Sequence, residues 1–143
     1  MLSNTCKYAV RATVYLSVFA TGGKKIGIKE ISEKLDIPSP FLGKILQSLA
    51  RHKILASTKG PNGGFTLNRK AEEISLMDII EIIDGTEIFD TCLIRTSKCS
   101  DDEPCGMHDG ITALRSEMKN YFINQTISDL SSEFKRDSGR IRI

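Results

Sequence analysis

Residues 28–67 read IKEISEKLDIPSPFLGKILQSLARHKILASTKGPNGGFTL, and this stretch decides the fold. Ile28, Ile31 and Leu35 fall at i, i+3 and i+7, a short helix that Asp36-Ile37-Pro38 breaks. Ser39-Pro40 opens another helix, with the serine expected to cap it and the proline in the first turn, where its missing N–H costs nothing. Leu42, Ile45, Leu46 and Leu49 carry that helix on to about His52. Two short helices across a tight turn predict a helix-turn-helix. Ile54–Thr58 then reads as a strand, Lys59-Gly60-Pro61-Asn62-Gly63-Gly64 as a turn and Phe65-Thr66-Leu67 as a return strand. Asn62-Gly63 is expected to supply positive φ angles at the tip. A hairpin directly after a helix-turn-helix makes a winged helix.

Upstream, Tyr8, Ala12, Tyr15, Leu16 and Phe19 form a helical stripe that Thr21-Gly22-Gly23 stops. Downstream, Ser75 and Asp78 have capping-box spacing and open a helix whose Leu76, Ile79, Ile80 and Ile83 should complete the core before Gly85. Between Thr86 and His108 periodicity fails. It resumes with Ile111, Leu114, Met118, Tyr121 and Gln125, a narrow seam of the type that pairs with a partner helix. The expected fold is therefore mainly α with a small β-hairpin: a winged helix-turn-helix with a long C-terminal dimerisation helix. The corresponding division is a winged helix-turn-helix domain over 1–85, a cysteine-rich loop over 86–108, a dimerisation helix over 109–130 and a loose tail over 131–143.

The chain has 143 residues, 40% apolar and 27% charged, enough for one small domain with a core. Collagen-like, mucin-like and wholly disordered classes are excluded. No apolar run approaches the ~20 residues that cross a bilayer. Lys7 and Arg11 interrupt the apolar stretch near the amino terminus, so it does not read as a signal peptide and a cytoplasmic location without a membrane partner is expected. Charge is unevenly placed. Residues 1–70 carry twelve Lys/Arg against Glu30, Glu33 and Asp36, a net +9, while residues 71–143 are net −7. That asymmetry points the first half at a polyanion.

A helix-turn-helix sets the start of its second helix into the major groove, where base edges are distinguishable. Ser39, Phe41, Leu42, Lys44 and Gln47 stand there, and Lys59, Gly60, Asn62 and Gly63 form a wing tip able to follow a minor groove. Phe41 and Leu42 can equally be core residues. Lys24, Lys25, Lys29, Lys53, Arg69 and Lys70 add the nonspecific electrostatic attraction. Gly43 costs helix stability and is compatible with close packing or with room against DNA.

Cys92, Cys99 and Cys105 form a Cys-x6-Cys-x5-Cys run, with His108 three residues on. In a chain expected to be cytoplasmic, such a cluster points to metal or redox chemistry before disulfides. Thiolates select zinc, copper(I) or iron–sulfur groups, and the imidazole can complete the set. The spacing lacks the tight hooks of common zinc sites and suits a multi-iron cluster better. Asp109, Glu103 or a residue of a partner subunit are alternatives to His108. Cys6 reads as a small core residue, and His52 as a helix-end residue suited to the dipole or as a phosphate contact. Enzyme chemistry is not indicated: there are no paired carboxylates, no Ser–His–Asp order and no phosphate-cradling loop opening a helix.

With these features together, the chain resembles the IscR/NsrR family of bacterial winged-helix transcription regulators over nearly its whole length. The resemblance rests on Lys7-Tyr8-Ala9-Val10-Arg11-Ala12, Ile31-Ser32-Glu33, Lys59-Gly60-Pro61-Asn62-Gly63-Gly64-Phe65, the helix Leu76–Ile83 and the three-cysteine loop. It implies a homodimer binding a roughly palindromic duplex operator. It also implies an iron–sulfur cluster, 2Fe–2S or in some relatives 4Fe–4S, on Cys92, Cys99, Cys105 and His108, reporting iron–sulfur supply, oxidants or nitric oxide. The chain departs from the family pattern twice. The first cysteine gap is six residues where five is usual, which bears on cluster type and fourth ligand. Gly43 stands where some relatives carry a glutamate that bears on base choice. Two other readings compete: a regulator of the same fold with zinc or a thiol redox switch, and a small electron-transfer or protein-interaction module.

Overall fold

Ser3 starts the first helix, α1 (Asn4–Phe19): its hydroxyl accepts the Cys6 N–H at 3.0 Å. The same hydroxyl, and the Ser3 N–H at 2.8 Å, donate to the Asp84 carboxylate. The computed structural model describes residues 1–136 of the chain. In it, α1 is buried over most of its circumference, with Cys6, Ala9, Ala12, Val14 and Leu16 fully inaccessible. Tyr8 and Phe19, which the stripe assigns to the core, sit at its margin instead.

α2 (Ile28–Leu35) and α3 (Ser39–Arg51) pack on α1 and on each other. The turn between them closes through Asp36, in the left-handed conformation at φ 55°, whose N–H donates to Ser32 O. The Ser32 hydroxyl donates to Ile37 O at 2.6 Å, and the Arg11 guanidinium donates to Leu35 O at 3.1 Å. A cation on the last carbonyls of α2 complements its dipole. Ser39 does not cap α3. Pro38 is the cap residue, its carbonyl accepting the N–H groups of Phe41 and Leu42 at 3.1 and 2.9 Å. Gly43 faces α2: a Cβ there would lie 3.2 Å from Ile28 Cδ1.

The wing is β1 (Leu55–Thr58) and β2 (Gly64–Leu67), antiparallel, with Leu55 opposite Leu67 and Thr58 opposite Gly64. Its turn differs from expectation. Positive φ falls on Gly60 (105°) and Gly64 (147°), flanking Asn62-Gly63. At Gly64 the reason is long-range: Ile26 exchanges two backbone hydrogen bonds with Phe65, at 3.1 and 2.8 Å, and so holds β2 against the segment preceding α2. A Cβ on Gly64 would meet that Ile26 backbone at 2.7 Å, and one on Gly63 would meet Thr58 O at 2.1 Å. Both positions exclude any side chain.

α4 (Leu76–Ile83) opens on the expected capping box, with Ser75 and Asp78 bonded reciprocally at 2.9 and 3.1 Å. After a loop comes α5 (His108–Asn124), which is largely exposed and anchored through Phe122 against Phe89. The continuous helix expected to 130 and the tail from 131 are replaced by a break at Gln125-Thr126 and a separate helix, α6 (Ile127–Arg136), lying on α1. Leu76 N–H donates to Gln125 O and Ile127 N–H to Ile74 O, which ties the break to the entry of α4. Thr126 and Asp129 form a second capping pair, and the Thr126 N–H and hydroxyl hold the Asp129 carboxyl below its usual range. Residues 137–143 of the expected tail lie outside the described residues.

Candidate nucleic-acid interface and thiol cluster

α3 divides cleanly into two faces. Leu42, Ile45, Leu46 and Leu49 are 0–2% exposed and close the core beneath it. Pro40, Phe41, Lys44, Gln47 and Arg51 are exposed and form the outer face. Leu42 therefore belongs to the core and not to the expected DNA contacts, because it follows the buried i, i+3, i+4 row. Arg51 was not among the expected contacts, although its spacing of four from Gln47 continues the outer face. Ser39 is half-buried. Lys59, Gly60 and Asn62 are exposed at the wing tip, with Gly63 half-buried behind them. His52 is exposed at the end of α3, its Nδ1 2.9 Å from Ser48 O.

The second assembly is built by the loop between α4 and α5. Thr91 bridges Lys98, Cys92 N–H donates to Ser97 O at 3.1 Å and Cys99 N–H donates to Asp90 O at 2.8 Å. This pinned turn brings Cys99 to the first residue of α5, where Cys99 Sγ lies 3.2 Å from His108 Nδ1. His108 Nε2 lies 2.8 Å from Asp101 Oδ1. A carboxylate on Nε2 favours the tautomer whose Nδ1 lone pair faces the thiol, the arrangement in which imidazole serves as a metal ligand. Asp101 is the residue that sequence reasoning missed, since it stands seven positions from His108 and no local spacing marks it.

Cys92 forms the other half. The N–H of Arg95 donates to its sulfur at 3.4 Å. That bond, then the Ile94 N–H, the nearby Cys105 thiol and the Arg95 charge hold the Cys92 thiol below its usual pKa. The four expected ligands thus stand as two pairs, Cys99 with His108 and Cys92 with Cys105. No group of three or more among the described residues is arranged as a single-ion site. The donor set of three thiols and an imidazole backed by a carboxylate fits a thiophilic metal group. Cys6 takes no part: burial pushes its thiol up to about 12.

These two assemblies, a winged helix and a thiol-rich loop leading into a long helix, can be set beside known proteins. The model of the family named Rrf2, described as iron-dependent transcriptional regulators, matches residues 2–133. The chain belongs to the Rrf2 family. Its relatives include an HTH-type transcriptional regulator of Aquifex aeolicus, 34% identical over 132 residues, 91% of this chain and 90% of that one. The HTH-type transcriptional regulator IscR of Sodalis glossinidius is 26% identical over 92% of this chain and 78% of that one. Among solved structures, CymR, the global cysteine regulator of B. subtilis, superposes with a TM-score of 0.79 at 20% identity, covering 93% of this chain and 97% of the other. T. potens IscR does so at 0.75 and 19%, covering 96% and 90%. At those identities the likeness is one of fold, and it establishes the winged helix that the sequence predicts.

As an Rrf2 protein the chain is a DNA-binding transcription regulator and not an enzyme, in line with the sequence reading. No helix among the described residues is long and apolar enough to cross a membrane. The outer face of α3 and the wing tip are the Rrf2 chain's candidate DNA surface, and the Cys92–His108 loop is its candidate sensor.

Proposed function

We propose that this Rrf2 regulator is a cytoplasmic homodimer whose binding to a roughly palindromic operator is modulated by an iron–sulfur cluster on Cys92, Cys99, Cys105 and His108. The observation that carries this reading is the pairing of those side chains. Two pairs of donors suit a two-iron cluster, in which each iron takes two protein ligands, better than they suit one ion. His108 would ligate through Nδ1 with Asp101 holding its ring, and the cluster would supply a redox- and nitric-oxide-sensitive group. Ser39, Phe41, Lys44 and Gln47, with Arg51 added, would face the major groove. Lys59, Gly60, Asn62 and Gly63 would lie along the minor groove.

Pairing of two copies is supported by α5. Leu114 is 62% exposed and Tyr121 61%, in line with half-buried Ile111 and Met118. A cavity of about 440 Å³ opens between this row and Met1, Ile88 and Leu93. A contiguous exposed apolar row of this kind marks a protein interface. Because His108 is both a ligand and the first residue of α5, a change at the loop reaches the helix that would set the separation of the two recognition helices. The division into residues 1–85, 86–108 and 109 onward serves this reading, with α6 returning to the DNA-binding domain.

A metal-free thiol switch, or zinc on the same thiols, is the second reading, and it is favoured by the nearness of Cys92 to Cys105. Operator affinity separates the two. Anaerobically loaded protein is expected to differ at least tenfold in operator affinity from the same protein stripped by chelator under reducing conditions, and Cys99→Ala should match the stripped form. Equal affinities in all three states, with a response only to thiol oxidants, would replace the cluster reading by the thiol switch.

A further inference from the structure

The outer face of α3 is polar and cationic except at its first turn. There Phe41 leaves 38% of its surface exposed, while its neighbour Leu42 is fully buried. The core beneath α3 is closed by Leu42, Ile45 and Leu46, so Phe41 is not needed to seal it. Its ring is nonetheless held. Tyr8 of α1 meets it edge-to-face, with centroids 5.8 Å apart and planes at 87°, a favoured geometry for aromatic pairs. One side of the Phe41 ring is thus buttressed by a half-buried residue packed on the core, and the other faces outward, three residues before Lys44.

In a helix-turn-helix this first turn is the part that meets base edges. The major groove presents one apolar group, the C5 methyl of thymine, and phenylalanine is among the side chains that contact it. We propose that Phe41 is a specificity-determining residue that reads a thymine methyl in each operator half-site, with Tyr8 as the positioning residue that fixes its ring. The proposal rests on the reading of α3 as the recognition helix. It adds a direct base contact independent of the cationic side chains, which are suited to phosphate or guanine.

Uracil differs from thymine in duplex DNA by that methyl alone, and this supplies the test. The full-length protein would select its preferred duplex from a random pool, and each thymine would then be replaced singly by uracil. For the wild-type chain, one thymine per half-site is expected to lose about fourfold in affinity on replacement, the value of one buried methyl-sized group. Phe41→Ala should bind the thymine and uracil duplexes equally at that position. Its salt dependence should stay unchanged, which shows that the helix and its phosphate contacts remain in place. Tyr8→Leu should reduce the discrimination without abolishing binding. Wild-type affinity indifferent to uracil at every thymine, or discrimination retained by Phe41→Ala, overturns the proposal while leaving DNA binding intact. Failure of the pool to yield any preferred duplex overturns the recognition-helix reading and the proposal with it.

Discussion

Leu42→Ala is expected to lower the unfolding free energy by about 2–5 kcal/mol, the range for a buried leucine cut to alanine. Leu42 has no exposed surface and sits where α3 crosses the core under α1. The cost combines lost burial with a cavity, because the core that Leu42 shares with Ile31, Leu46 and Leu49 is fully buried and collapses little. In a thermal melt this is a fall of about 10 °C for a chain of this size, measured at fixed concentration because dimerisation adds to apparent stability. Phe41→Ala, one residue away, should cost under half as much, since its ring is partly solvated already. Similar melts for the two variants would mean that α3 is rotated from the orientation described, and the assignment of its outer face to DNA would fail with it.

The second large effect concerns charge. Lys44 lies on the outer face of α3 and Lys59 at the wing tip, and neither has a salt-bridge partner in the structure's described residues. Each side chain is therefore available to phosphate. Neutralising a phosphate releases condensed counterions, so log K should fall with log salt by about 0.9 for each contact. The double variant Lys44→Ala/Lys59→Ala is expected to lose affinity at low salt for every duplex and to flatten that slope by about 2 for each protomer engaged. Its metal content should stay unchanged, because both residues are remote in the chain from the cysteine loop. The check is fluorescence anisotropy over a salt series. An unchanged slope would place the DNA on another face.

How much of this was legible in the sequence depends on the range of the cause. Local causes read well: the Ser75–Asp78 capping box, the break at Asp36-Ile37-Pro38 and the presence of a hairpin across residues 59–64 are each marked within a few residues. Leu42 and Phe41 were not separable, since two adjacent apolar residues at a helix start differ only by how the helix is rotated on α1. The wing turn failed for a long-range reason. The Ile26–Phe65 bridge sets the backbone at Gly64, where a positive φ falls, and nothing near Asn62 announces it. α6 is hidden in the sequence although Thr126 and Asp129 have capping spacing, because the 3–4 seam of α5 continues through Gln125. At the thiol loop the ligand types were legible from composition, whereas their pairing, and the role of Asp101 behind His108, required the folded turn.

Whether the loop between α4 and α5 holds an iron–sulfur cluster is decided by an ultraviolet–visible spectrum with iron and sulfide analysis on protein purified without oxygen. A coloured protein absorbing in the visible is expected, with iron and sulfide in equal amounts at about two of each per chain, and a colourless Cys99→Ala variant that still folds. A colourless wild-type protein that takes up neither iron nor sulfide on anaerobic reconstitution would contradict the cluster reading.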